Sequence, residues 1–461
     1  MISLRPYQST IIDTVREVFK TERKVLLVSP TGSGKTVMFS YLAQAVTARG
    51  NRVYILVHRD ELVEQVSKTL KEFDVPHGFI AAGRPVDPQP VMVCSVFTLA
   101  NRVQDYEPPH LIIIDEAHHA THGSTWARVL GTWSHSYRLG VTATPIRLDG
   151  GDLGSNFHRL VQGPTVAQLI EQGDLCRYRM YTPPVVLGKL RMRMGDYVKA
   201  DLSSAMDKPS VTGDAVAHYQ KLAPGKRALV FCVSLEHAEH TAQAFRDAGY
   251  AAARIDGGME KKDRRSMVAA FTHGQLSVMT SCDLVSEGFD LPAIEVAILL
   301  RPTASLGLYL QQVGRALRPF PGKDYALILD HAGNAGAHGL PDDAREWTLG
   351  GDPKKVGKKK RPVLSLRTCK KCFGCSKPGT LVCQLPLPDG SVCGYEWPPE
   401  AREVAEKAGE LVEVGEDIER RKLIDARREV GQSKSLDALV ALEKSRGYRP
   451  GWALHVFKAR R

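Results

Sequence analysis

The sequence predicts two successive α/β domains, each built on a parallel sheet, followed by a small cysteine-rich module and a helical C-terminal tail. Two observations support this fold class. Short apolar runs alternate with helix-like segments twice along the chain, and five of the nine cysteines lie between Cys369 and Cys393. A run that is apolar throughout suits a strand buried on both faces, as in a parallel sheet covered by helices. Strands that alternate with helices are typical of α/β domains.

The apolar runs define the expected domain boundaries. Those of the first domain are residues 25–28, 53–57, 91–96, 111–114 and 137–141, and those of the second are 228–233, 252–255, 278–280, 296–300 and 325–329. We expect a first domain over 1–158, a connector over 159–209, a second domain over 210–335, a basic linker over 336–366, a metal module over 367–400 and a helical region over 401–461.

Charge and hydropathy restrict the class of protein. The chain of 461 residues has a net charge of +11, and residues 353–372 contain nine basic and no acidic residues. A basic balance fits a polyanionic partner. No stretch approaches the ~18 apolar residues of a membrane span. The N-terminus lacks the basic and apolar regions of a signal peptide, so we expect a cytoplasmic protein.

A phosphate-binding loop is predicted between the first strand and the next helix. The residues expected to bind the nucleotide are Thr31, Gly32, Ser33, Gly34, Lys35 and Thr36. Glycines let backbone N–H groups turn toward phosphates, and the helix N-terminus favours an anion. Lys35 should reach the β- and γ-phosphates, and Thr36 should bind Mg²⁺. An ordinary glycine turn is the alternative.

Two adjacent carboxylates end the predicted strand at residues 111–114. Ligands of parallel α/β sheets bind at the carboxyl ends of strands. Asp115 is therefore expected to hold Mg²⁺, and Glu116 to orient and deprotonate the attacking water. Alone, such an acidic pair could also be a solvated turn.

Hydrolysis also requires positive charge against the γ-phosphate. Arg315 and Arg318 are three residues apart in the second domain, and we expect them on one helix face. They could reach ATP only when the domains close. A basic helix face in water is the alternative.

Seven segments together resemble the motifs of superfamily 2 helicases, over about residues 1–335. They are residues 5–8 (RPYQ), 29–36, 57–62 (VHRDEL), 115–118 (DEAH), 142–145 (TATP), 286–290 (SEGFD) and 311–318. The resemblance implies two RecA-like domains and an ATPase driven by nucleic acid. RPYQ, the DEAH box and GFD are most similar to bacterial RadD-type proteins, their phage relatives and restriction-enzyme translocases.

The resemblance also implies roles for single residues. Arg5 and Gln8 would bind the adenine, Gly288 and Asp290 would lie near the nucleotide, Arg315 and Arg318 would be arginine fingers, and Arg59 would contact the strand. Residues 286–290 resemble part of motif V, which often has a Thr before its Asp, whereas here Cys282 precedes Asp283. Thr280 or Ser281 would make that phosphate contact instead.

The C-terminal cysteines predict a metal site. Cys369, Cys372, Cys383 and Cys393 can close a tetrahedral zinc site of four thiolates, which leaves no open position for catalysis. Cys375 competes for a ligand position. The alternative is a set of free or redox-active thiols.

These features together predict an ATP-dependent DNA helicase or translocase that uses ATP, Mg²⁺ and Zn²⁺, in repair, recombination or phage replication. An RNA helicase and an ATP-controlled nucleic-acid clamp remain alternatives, because contacts to backbone phosphates say little about the sugar. The basic run at residues 354–361 is either a solvated linker or a backbone contact. Repair or replication proteins are candidate partners of the C-terminal region.

Overall fold

The computed structural model describes residues 3–120, 125–146, 151–182, 191–193, 196–282, 291, 294–350, 366–377, 379–387, 389–397, 429–430, 433, 435–446 and 448–458. The chain divides into two compact units, Met1–Trp397 and Pro398–Arg461. The larger unit contains two parallel sheets and the cysteine module, and the smaller one contains two helices. The predicted fold class is confirmed.

The first domain is a parallel sheet with helices on both faces. Its strands are β1 (Lys24–Val28), β2 (Val53–Val57), β3 (His77–Ile80), β4 (Val91–Ser95), β5 (Leu111–Asp115), β6 (Tyr137–Thr142) and β7 (Arg159–Gln162). Their order across the sheet is β3-β4-β2-β5-β6-β1-β7. The helices are α1 (Pro6–Val18), α2 (Lys35–Thr47), α3 (Asp60–Glu72), α4 (Val96–Ala100) and α5 (Thr125–Thr132).

The core of this domain explains why its strands are so apolar. Every residue of β2, β4 and β5 is buried, because one core cluster lies beneath α1, α2 and α3 and another beneath α4 and α5. Packing is tight at Gly140 in β6, where an added Cβ would lie 2.4 Å from the Phe157 ring. The five apolar runs predicted as strands in this domain are confirmed.

The second domain repeats the arrangement. Its strands are β8 (Arg177–Tyr181), β11 (Ala228–Phe231), β12 (Ala252–Ile255), β13 (Val278–Ser281), β14 (Val296–Leu299) and β15 (Tyr325–Asp330), in the order β12-β13-β11-β14-β15-β8. The short strands β9 (Met192–Arg193) and β10 (Asp196–Tyr197) form a separate antiparallel pair. The helices are α6 (Val166–Glu171), α7 (Lys199–Met206), α8 (Pro209–Leu222), α9 (Leu235–Asp247), α10 (Lys261–Thr272), α11 (Leu306–Ala316) and α12 (Asn334–His338).

The segment 159–209, expected to be a connector, contributes one strand to each sheet. Strand β7 pairs with β1 at one edge of the first sheet, and β8 pairs with β15 at one edge of the second. An edge strand bonds to one neighbour and leaves part of its surface in solvent. The sequence of an edge strand is therefore often less apolar than that of a central strand, so a continuous apolar run does not indicate it.

The segment after α12, expected to be part of a linker, returns to the first domain. The Leu153 N–H donates to the Leu349 carbonyl at 3.0 Å, and Trp347 and Leu349 pack against the cluster beneath α4 and α5. The Arg345 guanidinium stabilises this segment by donating to several backbone carbonyls, among them that of Leu340 at 2.7 Å. Residues 351–365, which include the basic run, lie outside the described residues.

The cysteine module packs on the open edge of the second sheet. It contains the antiparallel strands β16 (Arg367–Thr368) and β17 (Cys375–Ser376). Tyr181 of β8 forms an antiparallel bridge with Gly374, and the Thr182 N–H donates to the Phe373 carbonyl at 3.0 Å. The module thus satisfies backbone groups that an edge strand would otherwise leave open.

The smaller unit contains α13 (Leu436–Arg446) and α14 (Trp452–Lys458). The Ala453 N–H at the start of α14 donates to the Glu443 carboxylate at 2.7 Å, which ties the two helices together. The helical prediction for the tail is confirmed over these residues, while residues 403–428 lie outside the described part of the chain. Among the described residues, no helix has the length and hydropathy that a membrane span requires.

Candidate active site

The phosphate loop connects β1 to α2, as predicted. Gly32 and Gly34 have φ angles of 88° and 74°, in the left-handed region that glycine adopts without strain. An added Cβ on Gly34 would lie 2.5 Å from the Gln8 amide nitrogen, so a side chain there would collide with α1. Ser29 and Ser33 join the two ends of the loop by a 2.7 Å bond between their hydroxyls.

Lys35 lies at the mouth of this loop. Its ammonium donates to the Ser29 and Pro30 carbonyls at 3.2 and 3.3 Å. Burial lowers the pKa of the Lys35 ammonium below its ordinary value. The carboxylates of Glu116 and Asp115 oppose that shift in pKa. The two carboxylates and the Lys35 ammonium therefore influence one another electrostatically.

The carboxylate pair follows β5. Asp115 is 5% exposed, and its Oδ1 accepts a 3.0 Å bond from the Glu116 N–H. Glu116 has a φ of 48°, a left-handed conformation that a residue with a Cβ rarely adopts. Such local strain persists where the surrounding structure enforces it, and it is concentrated at functional sites. Here the left-handed residue directly follows the end of β5 at Asp115.

A chain of contacts leads from the carboxylates to the second domain. The Nδ1 atom of His118 lies 3.4 Å from Glu116 Oε2 and 3.0 Å from the Thr142 hydroxyl, which donates to the Thr144 carbonyl at 2.9 Å. An added Cβ on Gly307, in α11, would lie 2.9 Å from the Thr144 hydroxyl. Residues 142–145, the predicted TATP motif, thus contact both domains.

Arg315 and Arg318 reach the phosphate loop from the second domain. Helix α11 packs closely here, since an added Cβ on Gly314 would lie 2.7 Å from the Thr31 Cβ. An added Cβ on Gly32 would lie 3.5 Å from Arg318 Cγ. Beyond the effect of burial, both guanidinium groups lower the pKa of Lys35 further.

One detail of the arginine prediction is wrong. Helix α11 ends at Ala316, so Arg318 lies in the turn after the helix and not on the same helix face as Arg315. Pro319 comes next in the sequence, and a residue before proline avoids the helical region of backbone space. Lys323, a residue that no sequence motif indicated, stabilises this turn by donating to the Arg318 carbonyl at 2.9 Å and to that of Ala316.

The RPYQ segment anchors the loop from the other side. The Tyr7 hydroxyl and the Gln8 amide both donate to the Ser33 carbonyl, at 2.8 and 3.1 Å. The Gln8 oxygen accepts from the Arg5 N–H at 3.0 Å, and the Arg5 guanidinium pairs with Asp174 at 3.0 Å. Tyr7 was missed as a site residue, and only its place inside the motif could have indicated it.

The residues expected to contact nucleic acid are partly or fully buried in this conformation. Arg59 is half-buried at the N-terminus of α3, where neighbouring Glu61 pairs with Arg264 of the second domain at 2.6 Å. Thr280 is buried and its hydroxyl donates to the Ala238 carbonyl at 2.7 Å, so it presents no hydroxyl to a phosphate in this conformation. Ser281 is 2% exposed. Gly288 and Asp290 lie outside the described residues.

The four predicted metal ligands converge. The Sγ atoms of Cys369, Cys372, Cys383 and Cys393 all lie within 4.8 Å of one another. The Cys369–Cys393 and Cys372–Cys383 pairs are each 3.6 Å apart, against about 3.8 Å expected between thiolates on a tetrahedral zinc. Cys375 belongs to β17 and packs against the core of the second domain, outside this cluster.

Comparison with known proteins shows relatives over most of the chain. Residues 1–147 match the family described as Type III restriction enzyme, res subunit, and residues 211–319 match the helicase conserved C-terminal domain. A 51.5 kDa protein of a Lactococcus phage (isolate 7-9) is 34% identical over 376 residues, which is 81% of this chain and 78% of the phage protein.

More distant relatives share the same core. The DNA 3'-5' helicase XPB of Kineococcus radiotolerans is 25% identical over 346 residues, 69% of this chain and 57% of that protein. A solved fragment of an HsdR subunit of a type I restriction enzyme from Vibrio vulnificus YJ016 superposes with a TM-score of 0.58 at 23% identity, covering 73% of this chain and 65% of the fragment. At 23% identity, the likeness to the HsdR fragment shows the fold alone.

Proposed function

Because the chain belongs to the superfamily 2 helicases, which are ATP-dependent enzymes of nucleic acid, we propose that it is a DNA helicase or translocase whose domains close on ATP-Mg²⁺. The observation that carries the proposal is the approach of Arg315 and Arg318 from the second domain to the phosphate loop of the first. When one domain completes the site of the other, hydrolysis depends on domain closure. That dependence is what converts turnover into movement.

The residues divide the chemistry among them. Lys35 binds the β- and γ-phosphates, while Thr36 and Asp115 would hold Mg²⁺, which would supply positive charge against the phosphates. Glu116 orients the attacking water and accepts its proton. Arg315 and Arg318 stabilise the charge of the transition state. Gln8 contacts the adenine, with Arg5 and Tyr7 holding the RPYQ segment in place.

Coupling between nucleotide and strand is supported by the contacts that leave the carboxylates. His118, Thr142 and Thr144 form a continuous path of contacts from Glu116 to Gly307 of α11, in which the Thr142 hydroxyl donates to the Thr144 backbone carbonyl. The same helix carries Arg315. A shift of α11 when the domains open would therefore disturb both Arg315 and Glu116. Domain opening and ATP hydrolysis would in this way be linked.

DNA as the substrate rests on the likeness to a DNA helicase and to restriction enzyme subunits. Repair, recombination or phage replication rests on the resemblance to RadD-type proteins and on the phage relative. The decisive experiment measures ATPase activity with single-stranded DNA, duplex DNA, forked DNA and RNA, together with strand displacement. Stimulation by RNA alone would favour an RNA helicase. Binding without stimulated turnover would favour a nucleic-acid clamp.

Arg59 is the proposed strand contact of the first domain. Arg59→Ala should weaken DNA binding equally across sequences, because a phosphate contact carries no sequence information. The slope of the logarithm of affinity against the logarithm of salt concentration should fall by about one unit, because one phosphate contact is lost. Basal ATPase should remain and its stimulation by DNA should fall. A DNA titration at several salt concentrations checks this, with the exposed Arg16→Ala of α1 as the control. Unchanged affinity and slope would leave Arg59 as a surface ion-pair residue.

We also propose that the cysteine cluster binds one structural Zn²⁺. Four thiolates at tetrahedral spacing fit that ion, which would tie together two loops that share little apolar core. Purified protein should contain one zinc by elemental analysis, and Cys372→Ser should lose it. Cys375→Ser should retain it, since Cys375 lies outside the cluster. Loss of zinc from Cys375→Ser but not from Cys383→Ser would overturn this ligand set.

A further inference from the structure

A cavity opens where the cysteine module packs on the second domain. Residues of both parts line it, among them Tyr181, His218, Lys221, His331, Lys371 and Phe373. The cavity lies beside the carboxyl ends of β8 and β15, at Tyr181 and His331. None of the residues given roles in ATP hydrolysis lines it.

One side of the cavity is cationic. Lys221, near the end of α8, and Lys371, in the cysteine module, are both exposed. The Lys371 ammonium donates to the Cys393 carbonyl at 2.9 Å, which fixes it while leaving two of its three donors available. No carboxylate lines the cavity among the described residues. This side suits an anion such as a phosphate.

The floor of the cavity holds two imidazoles. His331 is 5% exposed, and its ring lies 5.0 Å from that of His218. Burial lowers the pKa of His331 to about 3, so its imidazole is neutral and offers one donor and one acceptor. His331 lines the cavity, so its imidazole can exchange hydrogen bonds with a polar ligand bound there.

An aromatic side chain forms the rim. Phe373 is 36% exposed and has a φ of 59°, a conformation that strains a residue with a Cβ. Its N–H donates to the Cys369 carbonyl at 2.9 Å, and its carbonyl accepts from the Thr182 N–H. The module and the sheet edge therefore hold this exposed ring from both sides. Strain of this kind is often retained where a side chain must be presented.

The cavity also lies at the end of the second sheet where the predicted nucleic-acid contacts lie, the carboxyl ends of its strands. His331 follows β15 and Tyr181 ends β8, so both lie at carboxyl ends of strands. Ser281, predicted as a strand contact but buried in this conformation, ends β13 at the same end of the sheet. Three strand spacings separate β13 from β15, or about 14 Å. A strand that crosses the second domain at β13 can therefore continue to the cavity.

We propose that this cavity binds one nucleotide of the nucleic-acid strand, with the phosphate held by Lys221 and Lys371 and the base stacked on Phe373 above the two imidazoles. A cationic groove combined with an aromatic platform is the usual way in which proteins bind single strands without sequence preference. The proposal rests on the proposed function, since it requires that a strand be bound. It gives the cysteine module a direct role in holding that strand.

The test compares Lys221→Glu and Phe373→Ala in the full chain, by fluorescence anisotropy with a single-stranded DNA oligonucleotide at several salt concentrations. Lys221→Glu should bind about tenfold more weakly and with a salt slope lower by about one unit or more. Phe373→Ala should bind about tenfold more weakly with an unchanged slope, because stacking releases no counterions. Phe373→Tyr should restore binding.

Two controls separate binding from folding. Lys208→Glu makes the same charge change at the opposite end of α8 and should bind DNA like the wild type. Zinc content and basal ATPase should be unchanged in every variant. Wild-type affinity and slope in both Lys221→Glu and Phe373→Ala would overturn the proposal and favour a protein segment as the occupant. If the wild type itself shows neither DNA binding nor stimulated ATPase, the proposed function has failed instead.

Discussion

We expect Glu116→Gln to lower the ATPase rate at saturating DNA by at least about 10²-fold while ATP affinity stays close to that of the wild type. General-base catalysis contributes about 10²- to 10⁴-fold, and the amide cannot accept the proton. The isosteric amide keeps the left-handed turn at residue 116 and the bond from its N–H to Asp115. The Mg²⁺ and phosphate contacts should therefore survive.

The measurement is steady-state ATPase together with direct titration of ATP. Glu72→Gln, at the exposed end of α3, is a matched control and should hydrolyse ATP normally. Lys35→Ala should behave differently from Glu116→Gln, with weaker ATP binding as well as slower turnover, because it removes a ground-state phosphate contact. Near-normal rates in both Glu116→Gln and Lys35→Ala would show that the hydrolytic site lies elsewhere.

Arg315→Ala and Arg318→Ala should each reduce DNA-stimulated turnover on the order of 10³-fold, with a smaller loss of ATP affinity. An arginine that meets the γ-phosphate is worth about 10³- to 10⁵-fold in rate, because its charge is matched to the transition state. Arg315 is 5% exposed on α11, and Arg318 lies beside Gly32 of the phosphate loop. Neither position is an ordinary solvated helix face.

Lysine substitutions make this test sharper. Arg315→Lys and Arg318→Lys keep the charge but lose the planar pair of donors, so turnover should recover only in part. Arg246→Ala, on α9 of the same domain, is the control and should hydrolyse ATP at the wild-type rate. Should both alanine variants hydrolyse ATP normally with DNA present, the arginines have a structural role and closure does not complete the site.

Much of the fold could be predicted from the sequence because burial on both faces forces a continuous apolar run. Every run interpreted as a strand is one, from β1 to β15, including β12 at one edge of the second sheet. The edge strands β3, β7 and β8 were not identified, because an edge strand has one neighbour and can contain fewer apolar residues. The return of Trp347 and Leu349 to the first domain was not predicted, since two apolar residues in a loop indicate no partner.

The local chemistry of the candidate site was also readable from the sequence. A phosphate loop needs its glycines, lysine and hydroxyl at fixed spacing, so residues 29–36 were identifiable without a structure. The same holds for Asp115 and Glu116 at the end of an apolar strand, and for the spacing of the cysteines. In each case the functional atoms lie within a few residues of one another or of a recognisable strand or helix.

Only the tertiary structure decided which distant residues meet. It brought Arg318 to Gly32 while removing it from the helix of Arg315, it excluded Cys375 from the cluster, and it buried the hydroxyl of Thr280. It also assembled the cavity between β8 and the cysteine module. The apolar pattern of a strand or helix follows from hydrogen bonding and burial along that one segment. Contacts between distant residues depend instead on how separate elements pack, which the sequence of a single segment does not determine.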